Sequence, residues 1–141
     1  MHRNVLLPLD LSQEASWTKA LPEARALAGD GGTVHLLGIV PDIGSSMVAT
    51  FLPKGFEAKA LGEMKAALDR LAASEFGSGP DVAVHVGHGH VSETILRVAS
   101  EIGADVIVMA SQQPDELRSI LLSSHANSVV RHSPISVMVV R

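Results

Sequence analysis

The sequence predicts an α/β domain, a doubly wound, five-stranded parallel sheet with helices on both faces, and three observations carry that reading. Five short apolar runs punctuate the chain, and the segments between them have helical spacing. Hydrophobic residues make up 46% of the composition and aromatic residues only 3%, so the core must be assembled from Val, Leu, Ile, Ala and Met, which suits parallel strands covered by helices. The length, 141 residues, is that of one ordinary domain with a single core, expected to span 1–141.

The first apolar run is Val5-Leu6-Leu7-Pro8-Leu9, and Pro8, which cannot donate to a ladder, belongs near the strand's end. A helix is expected from about Ser12 to Ala28, with Ala20, Leu21, Ala24, Leu27 and Ala28 on one face and Gly29 to Gly32 as its stop. Pro22 conflicts with a straight helix and should kink it or begin its second half. Thr33 to Val40 reads as the second strand, followed by a long stretch without a convincing period to about Gly55. From Phe56 to Ala73, Leu61, Met64, Leu68 and Leu71 recur at intervals of three and four, the stripe of an amphipathic helix. After the break at Gly77 to Pro80 come a third strand, Val82 to Val86, and a helix from about Ser92 with Ile95, Leu96, Ala99 and Ile102 inward. Val106 to Met109 is the fourth strand. A polar loop to about Ser123, a short helix to Arg131 and a fifth strand, Ile135 to Val140, complete the chain.

Composition also excludes several classes of function. The chain has no cysteine, which removes disulfides, thiolate metal sites and a cysteine nucleophile and fits a reducing compartment. The formal net charge is −4 with scattered Lys and Arg, so a nucleic-acid partner is not expected. The apolar stretch at the N-terminus is too short for a signal peptide core, and no run approaches membrane-spanning length. The expectation is a soluble, cytoplasmic protein with no membrane partner.

In a doubly wound fold, ligands bind beyond the carboxyl ends of the strands, which here gathers Asp10, Val40, Gly87 to His90 and Ala110 to Gln113 on one edge. The segments VLLPLDLS, VHLLGIV, the turn and helix at Gly89 to Ile95, ADVIVMAS and VVRHSPISVMVV resemble the corresponding segments of universal stress proteins, over nearly the whole chain. The resemblance implies a Rossmann-like, adenine nucleotide alpha hydrolase-like fold. It also implies a site for ATP or AMP at Pro8, Asp10, Val40 and the loop after the fourth strand. In nucleotide-binding members that loop reads Gly, two residues, Gly, nine residues, then Gly with Ser or Thr. Here Ala110, Gln113, Ser123 and Ser124 occupy those positions, so the spacing survives while all three glycines are replaced.

Glycine in such a loop admits positive φ and lets backbone N–H groups approach phosphate unobstructed, and a β-carbon works against both. Asp115 and Glu116 add repulsion for a triphosphate. A helix N-terminus near Ser123 and Ser124 could still attract an anion, although both serines equally suit plain N-capping of the last helix. Asp10 likewise has two readings, near the adenosine end of a nucleotide by resemblance, or as a cap of the helix beginning around Ser12. The expectation is therefore a regulatory or protective stress-response binding module with a degenerate nucleotide loop and no resident cofactor, the alternative being an ATP or AMP sensor with slow ATPase activity.

His85, His88 and His90 form the local histidine cluster, but no carboxylate or cysteine accompanies them at a ligand spacing, and no metal is expected there. Ser124 and His125 are adjacent on a helix and do not face one another, so no catalytic residue is assigned. Ile135, Val137, Val139 and Val140 make an apolar edge, from which, as from the resemblance, a homodimer through the C-terminal strand is expected. No client protein can be named from these residues.

Overall fold

The computed structural model describes residues 2–41, 55–77, 81–110 and 120–141. Five parallel strands lie in the order β3-β2-β1-β4-β5, where β1 is Asn4–Pro8, β2 Thr33–Pro41, β3 Asp81–Gly89, β4 Val106–Ala110 and β5 Ser136–Val140. The chain winds outward from β1 through β2 to β3, then crosses to the other side of β1 for β4 and β5. That reversal puts the topological switch point between β1 and β4.

Helices cover both faces, as the alternation of apolar residues along the strands requires. On one face Val5, Leu7, Val34, Leu36, Val106 and Val108 pack against α1 (Ala20–Ala28) and α2 (Phe56–Glu75). On the other, Leu6, Leu37, Ile107 and Met109 pack against α3 (Val91–Ile102) and α4 (Ile120–His132). Among the described residues no helix is long and apolar enough to cross a membrane.

Pro8 ends β1, and the reason is visible in the ladder. The Leu9 N–H donates to the Leu37 carbonyl on β2 at 3.0 Å. Successive backbone groups of a strand point to opposite sides, so the Pro8 nitrogen faces β4 without a hydrogen to give. The described β1–β4 pairs are Val5↔Val106 and Leu6↔Ile107, both before Pro8.

Two elements depart from the sequence expectation. The first helix starts at Ala20 rather than near Ser12, with Pro22 in its first turn, where a missing N–H leaves no intrahelical bond unmade. Residues 10–17 form instead a turn built on Asp10 and one turn of 3-10 helix, Glu14–Ser16. The third strand is longer than Val82 to Val86, because all nine residues from Asp81 to Gly89 pair in register with Thr33 to Pro41. Gly87 and Gly89, expected just beyond the strand's end, are part of that ladder. The stretch after β2 falls mostly outside the described residues.

Candidate functional site

The parallel arrangement brings Pro8, Val40, Gly89 and Ala110 to the same edge of the sheet, the edge that carries the switch point between β1 and β4. Pro8, Val40 and Ala110 are buried, so they form the floor, while Asp10 is exposed on the rim. Asp10 is held by its own turn. Its Oδ1 accepts the Ser12 N–H at 2.9 Å and the Ser12 hydroxyl at 2.6 Å. Ser16 reinforces the turn from beneath: its hydroxyl donates to the Asp10 carbonyl at 2.8 Å and accepts the Asp10 N–H at 2.9 Å. Asp10 thus caps a turn and not a helix, and Ser16, buried at the base, fixes the rim's backbone. Sequence reasoning missed Ser16, and only its place six residues after Asp10 gave any signal.

Trp17, the single tryptophan of the chain, follows that turn and packs half-buried against the core cluster that contains Leu9 and Ala110. Across the edge, α3 begins directly after β3. His90 precedes it in extended conformation, without a side-chain cap. Here glycine is required by contact: a β-carbon on Gly87 would stand 2.4 Å from the Cγ2 of Thr94, which is 2% exposed in the helix's first turn. Gly89 has φ +125°, which a side chain rarely allows.

Ala110, at the first glycine position of the nucleotide-loop frame, is the last residue of β4, 3% exposed and paired with Val140. Its backbone is extended, and among the described residues every positive φ belongs to glycine. Gln113, Asp115 and Glu116 lie outside the described residues. Ser123 and Ser124 lie within α4, which already runs from Ile120, so neither is the cap expected from sequence. They sit about 4.5 and 6 Å along the axis from the helix start, and any free N–H groups belong to residues before them. His125, next along α4, is held by burial below the ordinary imidazole pKa.

The histidines are arranged differently from the expected cluster of His85, His88 and His90. His85 pairs with His35 on the neighbouring strand edge to edge, their Nε2 and Nδ1 atoms 2.8 Å apart, their ring centroids 5.1 Å apart and their planes inclined by 23°. His35 Nε2 also bonds the Asn4 Oδ1 at 2.9 Å. These three side chains form a row across β1, β2 and β3 on the face that α3 covers. The register Leu37↔His85 produces it, and a single sequence does not display register. Burial lowers both pKa values; for His35 the neighbouring His85 adds to the effect, whereas for His85 the Glu101 carboxylate on α3 works against it.

Comparison with known proteins places this arrangement. The family model described as "Universal stress protein family" matches residues 1–141. The chain is 33% identical to universal stress protein G of Escherichia coli O157:H7 over 144 residues, covering 100% of each. It is 31% identical over the same length to the protein of that name from Salmonella typhimurium, again with full coverage. Its fold is similar to a universal stress protein family member from Burkholderia pseudomallei, with TM-score 0.70 and 26% identity over 97% of this chain and 94% of that one. It is similar also to universal stress protein UspA from Lactobacillus plantarum, with TM-score 0.73 and 24% identity over 99% and 97%. The fold is the Rossmann-like, adenine nucleotide alpha hydrolase-like fold of these proteins. The chain belongs to the universal stress protein family.

Proposed function

We propose that the protein is a homodimeric regulatory or protective binding module of the stress response, whose nucleotide crevice holds adenine nucleotides weakly or not at all. The observation that carries this reading is Ala110. Where the family frame places the first loop glycine, this chain has a buried, extended strand residue tied to β5. That backbone lacks the positive φ by which a glycine loop turns its N–H groups toward phosphate. Replacement of the other two glycines by Gln113 and Ser123 supports the same conclusion from sequence.

The second reading is an ATP or AMP sensor with slow ATPase activity. It is favoured by the place of Pro8 and Ala110 at the topological switch point, and by a structural neighbour with TM-score 0.62 and 20% identity described as a universal stress protein in complex with cAMP. Titration calorimetry of the purified protein with ATP, ADP and AMP, with and without magnesium, separates the two. The proposal expects no binding tighter than about the millimolar range, roughly 4 kcal/mol. Low-micromolar binding of any of the three would replace it with the sensor.

Dimerisation through β5 rests on that strand's position at the sheet edge and on the exposure of its apolar residues Met138 and Val139. An apolar edge with unpaired backbone groups favours pairing with a second copy. A two-fold axis would set the two β5 strands antiparallel and cover both.

A further inference from the structure

We propose that His35 and His85 form a two-imidazole site for a divalent transition-metal ion, with zinc as its test ion. This is independent of the nucleotide crevice, because the pair stands on the sheet face under α3. The tautomers follow from the partners. The Asn4 Oδ1 can only accept, so His35 Nε2 carries a hydrogen and donates at 2.9 Å. In the neutral ring Nδ1 is then a bare lone pair, aimed at His85 Nε2 from 2.8 Å. A metal-ligating histidine has this same arrangement: one nitrogen free for the ion, the other donating to a carbonyl that fixes ring and tautomer.

Two further features favour a cation. Burial lowers the proton affinity of both rings, so protons compete less for the lone pairs. The Glu101 carboxylate on α3 acts on His85 with the sign that attracts positive charge. Zinc–nitrogen bonds of about 2.0–2.1 Å in a tetrahedron put the two nitrogens about 3.3 Å apart, so binding separates them by roughly half an ångström and turns each ring by about 35° to bring its lone pair onto the ion. His85 shifts its hydrogen from Nε2 to Nδ1 through solvent, with no net change in protons. It lies on the edge strand β3 and is half-exposed, which leaves room for water as the remaining ligands. Among the described residues no group of three or more His, Cys, Asp and Glu side chains is placed to hold a metal, so the site is an open one of two protein ligands.

The experiment is zinc titration of untagged protein by calorimetry, joined to nitrogen-15 spectra of the imidazoles. The expected result is one zinc per chain at micromolar affinity, with His85 changing from the Nε2–H to the Nδ1–H form. Affinity should fall at least tenfold in His35→Asn and in His85→Asn, and about tenfold in Asn4→Ala through loss of the orienting carbonyl. Asn4→Asp should bind more tightly, since a carboxylate makes the His35 ring more basic. A combined His2→Asn, His88→Asn, His90→Asn protein should bind as wild type does. Absence of saturable zinc binding would overturn the assignment. So would zinc uptake that leaves the His35 and His85 resonances unmoved, a result read on wild-type protein even if the single variants fail to fold.

Discussion

Replacing Gly87 by Ala tests how tightly the end of β3 is pressed against α3. The added β-carbon would meet the Thr94 Cγ2 at 2.4 Å, while its next neighbours, Leu37 Cδ1 at 3.6 Å and Thr94 Cβ at 3.9 Å, are at ordinary contact. One methyl group is therefore the whole obstacle. Rotating Thr94 gives limited relief, because two of its three staggered positions still point a heavy atom at the same place. Overpacking of this kind costs about 1–3 kcal/mol, and loss of unfolded-chain freedom on Gly→Ala returns about 0.4–1 kcal/mol, so the net destabilisation is about 1–2 kcal/mol. Thr94→Ser alone removes a buried methyl and should cost about 0.5–1.5 kcal/mol. In the double variant the clash is gone, so its destabilisation should be smaller than the sum of the two by about 1 kcal/mol or more. Urea unfolding followed by Trp17 fluorescence gives the four midpoints, with no other tryptophan to confuse the signal. A Gly87→Ala protein as stable as wild type, or strict additivity in the double variant, would refute the contact argument.

Three further outcomes are expected. Restoring the loop with Ala110→Gly, Gln113→Gly and Ser123→Gly should raise ATP affinity tenfold or more in calorimetry, with Asp115 and Glu116 limiting the gain; a folded triple variant that binds no better than wild type would sink the degenerate-loop reading. Val139→Asp should shift sedimentation at micromolar concentration from dimer to monomer while leaving the circular dichroism unchanged, and a wild-type monomer would exclude the β5 interface. The His35–His85 pair, faced by Asn4 from β1 and Glu101 from α3, should make stability acid-sensitive. Because both folded pKa values lie below the ordinary 6.5, the unfolded chain binds more protons in the window beneath that value. The contribution is complete above about pH 6.5 and lost as pH falls toward the folded pKa values. Urea midpoints near pH 7.5 and 5.5 should therefore differ more for wild type than for the His35→Asn, His85→Asn double variant.

How far the sequence was legible depended on whether a feature is local. Apart from β3, the strands and α2 were read nearly to their ends because burial writes a period into Val34, Leu36 and Leu68. Residues 12–19 were read as helix because their composition permits it. Asp10 and Ser16, exchanging hydrogen bonds six residues apart, hold that segment in a competing turn. The sheet edge carrying Pro8, Val40 and Ala110 followed from topology. The His35–His85 contact did not, since it depends on how β2 and β3 are aligned. The loop frame set Ser123 and Ser124 at a helix start, whereas α4 already runs from Ile120.

The proline at the end of β1 has a consequence for how the sheet edge can vary. A central strand flanked by two parallel neighbours would ordinarily go on zipping until one chain turned away. Here the rung at Pro8 has no hydrogen to give toward β4, so the end of that ladder is written into the covalent chain itself. Substitutions after β4 can therefore change the chemistry of the edge without the pairing between β1 and β4 running past it.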